Sequence, residues 1–307
     1  MPTNRRAFLA QTLLTAASTA SAQTPAPRWG GPVLDIHLHP RRGADGEIRH
    51  MRGSGVTHAL LLGRASAQDE IAAKMKQHPG KMFFFASVDV AQPGAVDSLR
   101  SAARRGAIGF GELKSRVAVD GREMRAVYDL ATELNLPVLL HFQEVPQFQG
   151  DGTFNTGIAR LPAILKAYPK TVFIGHADAF WANISADVPT DTAYPAGRVK
   201  PGGLTDRLLA EFPNLYGDIS ANSGRNALGR DPDFMAGFLA RHQNKLLFGC
   251  DCSCDDGRGA NQRSQQPLIK GRCVARETLT ALRELSPPEV FRKIVWANGS
   301  NLFKIRA

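Results

Sequence analysis

The sequence predicts an α/β protein, a closed (β/α)8 TIM barrel, on three observations. Eight short β-branched or aliphatic runs recur, at residues 33–38, 57–62, 82–88, 107–113, 137–142, 171–176, 214–219 and 245–250. Helical stretches separate most of them, with Leu, Ala and Val at three- and four-residue spacing. No glycine-rich phosphate loop follows an early strand, which an open doubly wound sheet, the runner-up, would want. Eight strand–helix units fit one barrel domain of ~250 residues.

The elements follow in order. The run 33–38 is bounded by Pro32 and Pro40, and the polar connection 40–55 is weak as a helix. After 57–62 comes Ala67–Gln77, closed by Gly80; after 82–88 comes Val96–Arg105, closed by Gly106. Glu123–Leu134 lies between 107–113 and Pro137, and Ile158–Tyr168 between 137–142 and Pro169. A long segment, Asp178–Gly203, precedes Leu204–Phe212 and Pro213. Phe234–His242 leads into the eighth run, Val274–Leu285 follows it, and Pro287–Ile305 reads as one further helix closing the barrel bottom or side.

The chain has 307 residues, 43% of them hydrophobic and 21% charged, which excludes disordered, collagen-like and coiled-coil classes. Its formal charge of +10 is scattered and not gathered into a basic arm, so it suits solubility or an anionic small-molecule substrate better than nucleic acid. The N-terminus carries Arg5-Arg6, a short Ala/Leu/Thr-rich run and Ala20-Ser21-Ala22, the pattern of a cleavable signal. Its closest likeness is a bacterial twin-arginine export signal, so residues 1–22 are expected to be removed and the protein to be periplasmic or secreted. Residues 23–32, with three prolines, read as a linker, and 33–307 as the domain. No later run is long and apolar enough for stable membrane insertion. Cys250, Cys252, Cys254 and Cys273 all fall near the C-terminus. In an oxidising compartment Cys273 could pair with Cys252 or Cys254; the spacing does not match a zinc ribbon, and burial as plain thiols is the alternative.

Four of the eight histidines, His37, His39, His141 and His176, end strand runs one, five and six. That rim is where a barrel builds its active site. Alternation in Asp35-Ile36-His37-Leu38-His39 places 35, 37 and 39 on one face, and two imidazoles ~6–7 Å apart there can grip one cation. Asp251 ends the eighth run, and Glu112 with Lys114 ends the fourth. Singly, each could be a packed histidine, a loop cap or an internal ion pair; together they are hard to obtain by packing. His50, His58, His78 and His242 read as structural or solvated.

This order of ligands, with the ending Trp296-Ala297-Asn298-Gly299-Ser300-Asn301, resembles the amidohydrolase superfamily, nearest its amidohydrolase-related (amidohydrolase 2) branch, from Val33 to Phe303. The resemblance implies that His37, His39 and His141 bind a divalent metal, usually zinc. It further implies that His176 binds a second metal or orients substrate, and that Asp251 is the general base. Glu112 departs from one-metal members and leaves one or two ions open. Such sites use a metal to activate water at neutral pH, with His176 as a candidate hydrogen-bond donor to the oxyanion. Asp35 and Asp178 are candidates for orienting the imidazoles.

The leading expectation is an exported hydrolase of an amide, ester or lactone bond in a small substrate. The alternative is a non-oxidative decarboxylase or hydratase using the same metal site on a small carboxylic acid. A non-catalytic binding barrel is the reading from another class. Phe180, Trp181, Tyr194, Arg198, Lys200, Asn222, Arg225, Arg258, Arg263 and Lys270 lie in loops that would set specificity. Homo-oligomerisation is left open.

Overall fold

All eight expected strands form, within three residues of the expected bounds: β1 Leu34–Leu38, β2 His58–Arg64, β3 Met82–Ser87, β4 Phe110–Leu113, β5 Val138–His141, β6 Phe173–His176, β7 Leu215–Ile219 and β8 Leu246–Phe248. This computed structural model describes residues 28–43, 45–264 and 269–306, so the expected signal segment lies outside the described residues. The strands run parallel in the order β1 to β8. The ends of the sheet meet where the Asp251 N–H donates to His37 O (2.8 Å) and the Cys250 N–H to Asp35 Oδ1 (2.9 Å). The result is a nearly closed (β/α)8 barrel.

Helices follow the strands: α1 Gly46–Ser54, α2 Gln68–Gln77, α3 Ala95–Arg104, α4 Arg122–Leu134, α5 Leu161–Ala167, α6 Ala177–Ala182, α7 Leu204–Glu211, α8 Ala221–Arg230, α9 Pro232–Arg241, α10 Val274–Leu285, α11 Pro288–Arg292 and α12 Asn298–Phe303. Each longer one buries a stripe. In α4 the buried set is Met124, Val127, Tyr128, Leu130 and Ala131, and Asn135 ends the helix in the left-handed conformation it tolerates.

Sequence periodicity missed three helices. α1 is polar and glycine-rich, yet Glu47 is buried, accepting from Arg41 N–H (2.6 Å) and Lys74 Nζ (2.9 Å). Tertiary contacts thus override weak propensity. Gly53, which weakens the helical pattern, is required: a Cβ there would lie 1.8 Å from Asp256 O. α6 and α8 occupy stretches read as loop, so Phe180 and Trp181 are buried core residues, not substrate contacts. The tail is two helices joined by a π turn, Lys293–Ala297. It closes one end of the barrel, with Gly299 beside Leu34 and Phe303 edge-on to Phe85 at 5.4 Å.

Leu34, Ile36, Leu60, Leu62, Phe85, Leu139, Ile174 and Leu247 come from alternate positions of six strands and fill the barrel interior. A larger cluster, including Leu61, Ile71, Leu99 and Phe110, lies between strands and helices. Residues 28–32 pack onto the domain: Trp29 is buried and its Nε1 donates to Ser54 O (2.9 Å).

Candidate metal centre

The parallel register sets His141 on β5 directly beside His176 on β6. On β1 the expected alternation fails. The β1–β2 ladder shifts register between Asp35 and Leu38. Ile36 faces the barrel interior and His37 turns inward with it, while the buried Asp35 carboxylate accepts the backbone N–H groups of His37 and Cys250. Asp35 therefore holds backbone and no imidazole. Asp178 bonds Gln147 Nε2 (2.8 Å), and so does not orient a histidine either.

The structure brings together all six residues expected from the sequence, His37, His39, Glu112, His141, His176 and Asp251. Glu112 is the hub. Its Oε2 lies 3.6 Å from His39 Nε2 and 3.9 Å from His37 Nε2. Its Oε1 lies 3.4 Å from His176 Nε2 and bonds His141 Nδ1. Asp251 Oδ1 stands 3.3 Å from His39 Nε2 and 3.9 Å from His37 Nε2.

Each ring is anchored through its other nitrogen. His37 Nδ1 meets Asp218 Oδ2 at 2.6 Å, and His39 Nδ1 meets Leu62 O at 3.0 Å. His141 Nε2 meets Gln143 Oε1 at 2.8 Å. His176 Nδ1 meets Ser220 Oγ at 2.9 Å and Asp218 Oδ2 at 3.2 Å. Such partners fix the tautomer and aim of ligand imidazoles. Asp218, Ser220 and Gln143 escaped the sequence reading. The signal for Asp218 was there, an acid inside a buried strand run at 214–219.

Charge completes the picture. Burial disfavours ionised Glu112, but His141, His176 and His37 outweigh it and hold the carboxyl well below its ordinary value. Against the same burial, His37 and His176 hold Asp218 at about 2. Burial opposes charge on His39 too, yet the Asp251 hydrogen bond and the Asp251 and Glu112 charges push it up to about 9. Asp218 and Glu112 do the same for His176, to about 10. Three ionised carboxylates thus face two charged rings, positive charge that a bound cation would replace.

A divalent cation fits these residues on independent grounds. His37 Nε2 and His176 Nε2 are buried without a hydrogen-bond partner, and both face Glu112. The edges from Glu112 Oε2 to His39 Nε2 (3.6 Å) and to His37 Nε2 (3.9 Å) suit a cation about 2.0–2.2 Å from each ligand atom. Glu112 takes part in two donor groups, one with His37 and His39 and one with His141 and His176.

The cluster opens to solvent on one side. The His39 and Asp251 side chains are 46% and 30% exposed, whereas His37 and His176 are sealed. The cavity above, about 300 Å³, is lined by Lys114, Gln147, Tyr194, Asn222 and Arg263 besides the cluster itself. Lys114 Nζ lies over the Phe154 ring at 4.7 Å. A larger recess of about 850 Å³, walled by β2 and β3 residues, shares His39, Glu112 and Lys114. Arg198 instead pairs with Asp233 at 3.9 Å on the surface, and Arg258 lies beside Cys273, away from the cluster.

Solved structures share the fold. A 2,6-dihydroxybenzoate decarboxylase from Rhizobium is 14% identical with a TM-score of 0.54, covering 89% of this chain and 98% of its own. A dihydroorotase from Campylobacter jejuni is 15% identical with a TM-score of 0.56, covering 90% and 84%. A TatD homologue from Escherichia coli is 16% identical with a TM-score of 0.55, covering 89% and 98%. No curated protein matches the sequence. The family model described as Amidohydrolase matches residues 34–305, nearly the whole described barrel, and the chain belongs to the amidohydrolase family.

Proposed function

We propose that this protein is an exported, metal-dependent hydrolase that cleaves an amide, ester or lactone bond of a small substrate. One observation carries the reading: four imidazoles, each anchored through one nitrogen, turn the other toward the single carboxylate of Glu112. Packing alone gives no reason for that convergence. His37 and His39 would hold one divalent cation, probe metal zinc, and His141 and His176 a second, with Glu112 touching both. His176 turns its Nε2 toward Glu112 while bordering the cavity, and we assign it first as a ligand, with a hydrogen bond to the oxyanion as its other role.

When bound, the cations supply Lewis acidity to a substrate carbonyl and to water. The remaining work falls to the chain. Asp251, partly open to the cavity, takes the proton of the attacking water at its carboxylate and returns it to the leaving group. Asp218 and Ser220 hold His37 and His176 in aim. Burial and the nearby Asp178 raise the Tyr194 phenol, so it keeps its proton and offers an O–H donor to substrate. Lys114 and Arg263 give the cavity positive charge, which suits a carboxylated or otherwise anionic substrate. Export rests on Arg5-Arg6 and the Ala20-Ser21-Ala22 cleavage pattern.

The second reading, a non-oxidative decarboxylase, is favoured by the structural likeness to the 2,6-dihydroxybenzoate decarboxylase and by the same cationic cavity. Incubating zinc-loaded protein with lactones, amides and aromatic acids, and analysing products by mass spectrometry, separates the two. Water added across a lactone or amide supports the hydrolase; CO2 release alone overturns it.

A further inference from the structure

A second group of ligand-type side chains lies apart from the Glu112 cluster. Cys252 and Cys254 stand in the loop after β8, Cys273 immediately precedes α10, and His50 reaches them from α1. All four are buried. Cys252 Sγ lies 3.3 Å from Cys254 Sγ and 3.9 Å from Cys273 Sγ, and Cys254 Sγ lies 3.6 Å from His50 Nδ1. All four ligand atoms fall within 4.8 Å of one another.

Those distances are the edges of a small tetrahedron. With metal–sulfur bonds of about 2.3 Å and a metal–nitrogen bond of about 2.05 Å, tetrahedral edges are about 3.8 Å for S···S and about 3.6 Å for S···N. A disulfide explains the group less well. All four cysteines of the chain are free thiols here, and an S–S bond of about 2.05 Å would join only two of these three sulfurs. It would leave the third, and the imidazole that completes the tetrahedron, without a purpose.

Positive charge lies close by. The Arg41 guanidinium donates to the carbonyl oxygens of Cys252 and Cys254. Arg28, Arg258, Arg272 and Arg276 crowd a cavity of about 250 Å³ against Cys273. Burial, then the charges of Arg276, Arg258 and Arg283, work against the positive charge on Arg28, while Cys273 favours it. Three thiolates around a dication carry a net charge of minus one, which these arginines offset. His50 Nε2 lies 3.7 Å from Cys250 Sγ, so the ring can keep its proton there and turn a bare Nδ1 to the metal. Cys254 O, now 3.1 Å from Nδ1, retains Arg41 as its donor.

We propose that His50, Cys252, Cys254 and Cys273 form a separate structural metal site that holds Zn2+ in a closed Cys3His shell. Four protein ligands leave no open position, so the site is structural and not catalytic. Soft sulfur ligands favour zinc over magnesium, calcium or manganese. The site does specific mechanical work. Cys252 follows Asp251 directly, and the loop already lies so close to α1 that Gly53 and Gly257 admit no side chain: a Cβ on Gly257 would meet His50 O at 2.1 Å. The ion would tie α1, α10 and the Asp251 loop together. None of its ligands belongs to the Glu112 cluster, so the two sites stand or fall separately.

The test is elemental analysis and cobalt substitution of the full chain, as wild type, Cys254→Ser, Cys273→Ser and His37→Ala/His39→Ala. The double histidine variant should keep the sulfur-bound zinc, and after exchange show the near-ultraviolet thiolate-to-cobalt charge-transfer band. Each cysteine variant should lose one equivalent of metal and that band. Should the cysteine variants fail to fold, native wild type is titrated with an organomercurial while a chromophoric chelator reports zinc. One zinc released in step with three thiols supports the site. A wild type without the sulfur–cobalt band, modification of the thiols that releases no zinc, or a disulfide-linked peptide containing Cys252, Cys254 or Cys273 would overturn it.

Discussion

Replacing Asp218 by Asn probes how the fold aims its ligands. The carboxylate accepts from His37 Nδ1 at 2.6 Å, from Ser220 Oγ at 2.8 Å, and faces His176 Nδ1 at 3.2 Å. All three contacts fall on Oδ2, so an amide that keeps its oxygen there still accepts but carries no charge. Both imidazole bonds drop from charge-assisted to neutral, at about 1–1.5 kcal/mol each. At about 1.4 kcal/mol per factor of ten, that is roughly 10- to 100-fold in metal affinity, the usual range for such orienting partners. The assay is competition for zinc against a chelator of known affinity, with thermal unfolding of the metal-free protein measured in parallel. Weaker binding by a folded variant is the expected outcome, with Asp218→Glu recovering part of it. Unchanged affinity in a folded Asp218→Asn protein would refute the claim that Asp218 positions His37 and His176 for a cation.

Other outcomes follow from the same geometry. Asp251→Asn should retain the bound metal and lose about 10²–10⁴-fold in kcat, read by steady-state kinetics on whichever substrate the panel identifies. At pH 7 the raised His39 (about 9) and His176 (about 10) are both charged in the metal-free protein, so cation binding must expel protons. Calorimetry in buffers of differing ionisation enthalpy should show that release, with affinity rising toward pH 9. Those two charged rings also stabilise the metal-free fold: the contribution is complete below about pH 6.5 and is lost as pH climbs through 9 to 10. Metal-free unfolding midpoints should fall over that window. Gly109→Ala would place a Cβ 2.3 Å from the Phe85 ring in the barrel interior. It should cost about 1–3 kcal/mol, seen as a lower Tm with metal stoichiometry unchanged.

The barrel was legible because its strands carry apolar runs bounded by Gly and Pro, and a parallel sheet covered on both faces needs such runs. The six clustered residues were legible because each ends or follows a strand run, and a barrel gathers strand ends at one rim. What escaped depended on long-range contact. α1 forms around the buried Glu47–Lys74 pair, which no local pattern reveals. Asp218 outranks Asp35 and Asp178 as the orienting acid only because a register shift on β1 turns His37 toward β7. His50 read only as structural or solvated. It is the cross-loop packing at Gly53 and Gly257 that delivers it to three cysteines over two hundred positions further along the chain.

Anomalous diffraction from crystals of the zinc-loaded protein, recorded on both sides of the zinc edge, tests the central claim most directly. A peak about 2.0–2.2 Å from His37 Nε2 and His39 Nε2, within reach of Glu112, is the predicted result. Zinc confined to the cysteine group, with water alone between His37, His39 and Glu112, would contradict it.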